Sequence, residues 1–298
     1  MIKMTKEFAN TNLITHGGVF HADEVVATVI LAKVLGSVTV CRTFKLPEEI
    51  NKSAIVYDIG FGKYDHHQKG GNGSRENGVP YASAGLIWRD FGSKLVANTC
   101  NPEEVWRFVD EELIQGIDAV DNGVVPKQDL KGMSFSKCVS NFNPGWDSQE
   151  AADDAFVKAC SFAEIVFDNV LANAISKAKA KSGVEEAINH SENGIMILKE
   201  FMPWQDHIFS SSNLKAESIL FVVFPSNRGG YNVQAVPDAP GSMEKRKPLP
   251  EAWAGLNGQV LAEISGVKTA TFCHTGRFIC SAETLEDALK MARKAIEE

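Results

Sequence analysis

The sequence has no long hydrophobic run, no paired cysteines and no excess of basic residues, and each absence removes a class of protein. The most apolar stretch, Val25 to Leu35, is broken by Lys33 and falls short of the ~18 residues that a membrane-spanning helix needs. The first residues carry Lys3 and Lys6, with neither an apolar block nor a small-residue cleavage site behind them. No secretory signal is therefore expected, and a cytoplasmic location is. The cysteines (Cys41, Cys100, Cys138, Cys160, Cys273 and Cys280) are scattered without a Cys-x-x-Cys pair, which argues against a thiolate zinc site and a disulfide scaffold alike. Thirty Lys and Arg against 38 Asp and Glu leave a net charge of −8, the wrong sign for a surface that coats nucleic acid, though not for a local basic groove.

What is present is an ordinary globular composition, 44% hydrophobic and 23% charged over 298 residues, enough for two cores of ~150 residues each. The N-terminal half alternates strand and helix: a short strand at Asn12 to Thr15, a helix at Ala22 to Leu35, then strands at Ser37 to Thr43 and Ser53 to Asp58. Such β-α-β order builds a parallel sheet with right-handed crossovers, and ligands bind outside the carboxyl ends of its strands. A helix is expected from Tyr81 through Phe91, and another from Pro102 to Val120. A long amphipathic helix, Gln149 to Lys181, follows, and from Gly194 the chain turns to short strands before a closing helix at Thr284 to Ile296. The expected fold is α/β: an N-terminal mostly parallel sheet with flanking helices over 1–145, a helical connector over 146–190 and a smaller C-terminal α+β domain over 191–298.

The histidines are what point to chemistry. Four of the seven, His16, His21, His66 and His67, fall in two short segments beside Asp23, Asp58 and Asp65, each just after an apolar run. One such residue is more often a satisfied structural histidine, but imidazole and carboxylate in this density suit a divalent first-row cation such as Mn, Fe, Co, Ni or Zn. Asp118 and Asp121 share a helical face and offer a fourth segment, although Asp121-Asn122-Gly123 also reads as a plain helix-ending turn. The Gly-rich loop Gly70 to Gly78, carrying Arg75, is as readily a substrate lid as a connection. The C-terminal part adds Arg228 before Gly229-Gly230, Arg246 within Lys245-Arg246-Lys247, and His274 and Arg277 in Cys273-His274-Thr275-Gly276-Arg277. Arginine forks and nearby glycine amides suit phosphate.

His21-Ala22-Asp23, Asp58, Asp65-His66-His67 and Asp118/Asp121 resemble the successive motifs of the DHH phosphoesterase superfamily. Tyr64 to Gln68, Arg75 to Ser83 and Trp253-Ala254-Gly255-Leu256 are similar to its Myg-type, or melanocyte-proliferating-gene-like, branch, over nearly the whole chain. The resemblance implies a two-domain α/β phosphoesterase with a dinuclear centre, commonly of manganese, on the first domain and phosphate-holding residues on the second. It implies His16, His21 and Asp23 for the first motif, Asp58 as the carboxylate bridging both metals, Asp65 and His66 for the third motif, and Asp121 or Asp118 for the fourth. The Myg-type branch is associated with 3′-to-5′ RNA exonuclease activity. The chain departs from the superfamily pattern at His21, where Asp is common, and in its longer spacing from His16. The extra imidazole puts Zn, Ni or Fe beside Mn as the metal.

The expected reaction is metal-assisted hydrolysis of a phosphodiester in RNA or a short oligonucleotide. His67 would face the scissile phosphate, and Asp65, unless itself a ligand, would orient a neighbouring histidine. Arg75, Arg228, Arg246, His274 and Arg277 would hold nucleotide phosphates. Two other classes stand beside this reading. One is an enzyme of small phosphoesters or pyrophosphate, which suits the acidic chain and the lack of a basic stripe interleaved with aromatics. The other is a non-catalytic metal protein, against which stands a ligand set larger than the four of a closed structural site. The sequence leaves the oligomeric state open, a homodimer included.

Overall fold

The structure is a computed structural model that describes residues 1–124 and 133–298. The chain divides into two compact units, Met1–Ala178 and Lys179–Glu298.

The first unit is built on a four-stranded, all-parallel sheet in the order β1-β3-β2-β4, with β1 at Ile2–Thr5, β2 at Leu13–His16, β3 at Val38–Thr43 and β4 at Ile55–Val56. Leu13, Ile14 and Thr15 are fully buried, as a strand covered on both faces requires. The crossover from β2 to β3 is α1, Ala22–Leu35, whose residues Ala22 through Leu31 are all buried. Around it lie α2 (Ser83–Val96), α3 (Pro102–Val109), a π-helical turn (Asp110–Ile114), α4 (Gln115–Asp121) and α5 (Phe135–Ser140). The helix expected up to Val120 is thus real but interrupted by one wide turn.

Two strands differ from expectation. The polar Ile2–Thr5 becomes a strand only because it pairs with β3, a long-range partner that no local pattern announces. The strand expected over Ser53 to Asp58 ends at Val56, because Asp58 takes the left-handed conformation (φ 55°) and turns the chain. The expected connector is also reapportioned. The long helix α6, Ala152–Asn189, puts Phe156, Ala159, Ala163 and Phe167 into the first unit's core and Val184 and Ile188 into a cluster of the second.

The second unit carries a mixed five-stranded sheet, β5-β6-β7-β9-β8, in which only β5 (Ile195–Ile197) and β6 (Phe221–Pro225) run parallel. The others are β7 (Tyr231–Ala235), β8 (Ala270–Cys273) and β9 (Ile279–Ala282). Short helices α7 (Gln205–Ser210), α8 (Lys215–Ser218) and α9 (Gly258–Ser265) precede the closing α10, Leu285–Glu297. The expected Thr284 cap is present, its side chain accepting from the Asp287 N–H, and Ala288, Met291, Ala292 and Ala295 bury one face of α10. Among the described residues no helix is long and apolar enough to cross a membrane.

Candidate metal centre

Parallel pairing of β2 with both neighbours puts the carboxyl ends of three strands side by side, and the chain after each end is anchored rather than loose. Beyond His16, the Gly18 carbonyl accepts from the buried Arg42 guanidinium (2.7 Å), which is packed over the Phe20 and Phe156 rings. The Asn143 amide clasps both backbone groups of Phe20. The His21 N–H donates to Glu24 Oε2 (2.9 Å), the reciprocal contact that opens many helices and here fixes the first turn of α1. Asp23 and Glu24 in that turn are fully buried.

The second segment is set by Asp58 and Asp65. Asp58 is held in its left-handed turn by its own N–H donating to the Tyr64 carbonyl. Asp65 accepts from the Phe61 N–H (2.6 Å), the His67 N–H (3.1 Å) and His67 Nδ1 (2.8 Å). Burial alone would raise its pKa, but these donors hold the carboxyl below its ordinary range. The carboxyl end of α4 brings Asp121, whose Oδ2 lies 2.7 Å from His66 Nε2.

These segments bring together His16, His21, Asp23, Glu24, Asp58, Asp65, His66, His67 and Asp121 in four overlapping groups of potential ligands, each with its donor atoms within 4.8 Å of one another. Asp23, Glu24, Asp58 and His21 each belong to two of the groups, so the groups form one continuous cluster. His16 Nε2 sits 2.8 Å from Glu24 Oε1 and 3.2 Å from Asp58 Oδ2. Burial opposes charge on this imidazole, yet the two carboxylates carry its pKa up to about 10. Asp23 is pushed well above the carboxylate range by burial and by Asp58, Glu24 and Asp121 around it.

The cluster fits cations on its own evidence. Asp23 Oδ1 and Oδ2, Asp58 Oδ1 and His66 Nδ1 are buried with no hydrogen-bond partner among the described residues. Buried carboxylate oxygens are rarely left so, because the loss of water costs several kcal/mol unless a positive charge replaces it. The donor set, imidazole plus carboxylate without thiolate, suits Mn, Fe, Co, Ni or Zn. Beside it opens a cavity of about 660 Å³, lined by His21, Asp23, His66, His67 and Asp121 and by Ile117, Val120, Ser136, Lys137 and Ser140.

Residues 12–296 match the family MYG1_exonuc, described as "Uncharacterised protein family (UPF0160)". The chain belongs to the MYG1 family. It is 31% identical to the MYG1 protein of Schizosaccharomyces pombe over 96% of this chain and 97% of that one. It is also 31% identical to the MYG1 exonuclease of Rattus norvegicus (95% and 84%) and 30% identical to that of Homo sapiens (98% and 87%). No solved structure matches.

In this MYG1-family chain two expected site residues are engaged with each other. The buried guanidinium of Arg75 forks onto Asp110 (2.7 and 2.8 Å) and reaches Asp118 (2.8 Å). Asp118 is correspondingly withdrawn from the cluster, its other oxygen accepting from the Gly85 N–H, and burial pushes its carboxyl up to about 7 in spite of Arg75. Of the fourth-motif candidates, Asp121 alone faces the other ligands. Glu24 was missed, because its neighbour Asp23 already accounted for the motif. The signal was a second acid in an otherwise apolar helical start. Lys137 was missed because only α5 folding back beside α4 brings it to the cavity.

The basic residues of the second unit do not converge on one point. Arg228 lies in the β6–β7 turn beside a separate cavity of about 770 Å³. The register of β7 on β9 puts that turn at the opposite end of the sheet from the β8–β9 turn that carries His274 and Arg277. At the latter end, Arg246 Nη1 donates to the carbonyls of Ala216, Glu217 and Ile219 (2.6–3.1 Å) around the end of α8.

Two outcomes follow. Arg75→Met should destabilise the protein by about 3–5 kcal/mol in urea unfolding, because two buried carboxylates lose their counter-charge. Losing Arg75 raises the folded-state pKa of Asp118 further above its unfolded value, so the deficit should widen as pH rises above about 7, where the wild-type carboxyl ionises. A deficit that shrinks over that range contradicts the ion-pair assignment. Separately, Mn²⁺ added to chelator-treated protein at a hundred times its Kd should stabilise it by about 2.7 kcal/mol, read as a rise in Tm. Asp58→Asn, which suits the same left-handed turn, should abolish most of that rise.

Proposed function

We propose that the protein is a metal-dependent phosphodiesterase of the DHH type that removes nucleotides from RNA or short oligonucleotides, with 3′-to-5′ polarity and two divalent cations, manganese foremost. The observation that carries this reading is the convergence of orphaned carboxylate oxygens and imidazoles at the carboxyl edge of a parallel sheet, open to a cavity of nucleotide size. Relatives of this chain bear the name MYG1 exonuclease, which supports a nuclease-type hydrolase.

In this reading His16, His21, Asp23, Glu24, Asp58, His66 and Asp121 would hold the cations. When bound, they would lower the pKa of a coordinated water and stabilise charge on the phosphoryl oxygens. The remaining chemistry belongs to side chains. His67 is half exposed, its Nδ1 fixed by Asp65, so its Nε2 is directed away from that carboxylate and can donate a proton to a phosphoryl or leaving oxygen. Asp65 positions this ring through its contact with Nδ1. Lys137, Ser136 and Ser140, which line the cavity with the ligands, would hold the outgoing nucleotide. His274 and Arg277, which share one turn of the second unit, would be phosphate-holding residues of that unit.

Asp58→Asn should lower turnover by orders of magnitude while the fold persists. His67→Gln should lower it by about 10²–10⁴-fold and abolish any rise in rate that depends on a protonated histidine. For substrate class, kcat/KM measured on a dinucleotide, a hexanucleotide and a long single strand should rise with length. A dinucleotide cleaved best would favour the small-phosphoester reading, and full activity of Asp58→Asn on every substrate would remove the site assignment.

A further inference from the structure

Three large apolar side chains stand in the solvent at the same sheet edge as the candidate metal centre. Phe44 is 83% exposed, Phe61 69% and Val19 64%. Single exposed hydrophobics are ordinary, but these lie on the loops that follow β3, β4 and β2 in turn. The loops also touch. The Phe44 ring lies on the Gly17–Gly18 backbone so closely that a Cβ at Gly18 would come within 2.9 Å of it. Leu46 lies so close to Gly60 that a Cβ there would come within 2.4 Å of its Cδ1. Each residue is tied to a site segment: the Phe44 ring rests on the glycines next to His16, and the Phe61 backbone N–H is held by Asp65.

We infer that Phe44 and Phe61 are stacking platforms for the unpaired nucleobases of a single-stranded nucleic acid whose backbone enters the metal centre between them. The inference rests on the phosphodiesterase reading above and deepens it by naming what recognises the substrate. Aromatic faces accept any base, and each stacked base strengthens binding severalfold to a hundredfold without regard to sequence. An acidic chain that lacks a basic stripe needs such a device, since it cannot draw its affinity from phosphate contacts alone. A second copy of the chain or another protein is a poorer occupant. Two rings offer on the order of 300–500 Å², against ~800 Å² on each side of a stable protein interface.

The test is a double-mutant cycle between rings and bases. KM and Kd are measured for wild type, Phe44→Ala, Phe61→Ala and the double variant, on a single-stranded hexanucleotide and on a base-free backbone of the same length. The double variant should raise KM on the hexanucleotide at least about tenfold, with a much smaller change in kcat. On the base-free backbone the two changes should overlap, with the double variant losing no more than about twofold beyond wild type. Phe44→Trp should retain wild-type KM, and wild type but not the double variant should quench a 2-aminopurine base on binding. Equal losses on both substrates would reassign the rings to protein packing or docking, and a wild-type KM in the double variant would overturn the inference. If Asp58→Asn is inactive in the same assay, either failure leaves the phosphodiesterase reading standing. If Asp58→Asn retains full activity, that reading falls and the inference with it.

Discussion

Four carboxylates, Asp23, Glu24, Asp58 and Asp121, are drawn into one small region with His16, His21 and His66, and several of their oxygens are cut off from water. Charge of one sign does not collect in a protein interior unless something of the other sign belongs there or the surrounding structure forces it. The surrounding structure does force it. Arg42 and Asn143 fix the loop after β2, Asp65 and the Tyr64 carbonyl fix the turn at Asp58, and the Arg75–Asp110–Asp118 network ties the lid-like loop to α4 and the π-helical turn. Raised pKa values at His16 and Asp23 are the electrostatic signature of the same crowding.

The sequence made part of this legible for physical reasons. The β2-α1-β3 unit reads directly, because buried parallel strands and a largely apolar crossover leave unambiguous patterns. His16, Asp58 and His66 follow from it, since the loops after adjacent strands must meet. What the pattern could not supply were long-range partnerships. The polar Ile2–Thr5 becomes a strand by pairing, Glu24 becomes a ligand candidate by the capping of α1, and Asp118 leaves the site because Arg75 claims it across 43 residues. Charge type alone could not separate an arginine that binds substrate from one that ties down carbonyls, as Arg246 does.

The site's surroundings divide the labour of recognition. Ligand atoms lie at the strand ends, and a cavity bounded by α4 and α5 gives a nucleotide-sized space with Lys137 as the one lysine or arginine among its described lining residues. Under the proposed function, the exposed rings on the neighbouring loops would add a grip that does not depend on net positive charge. That would offset the weak long-range attraction between a polyanion and a protein with eight excess negative charges.

The central claim, that the crowded carboxylates exist to hold cations, is met most directly by elemental analysis of the protein purified without chelator. The account predicts close to two divalent first-row ions per chain in wild type and one or none in Asp58→Asn. A wild-type protein free of such ions, and unable to take them up from a manganese-containing buffer, would contradict it.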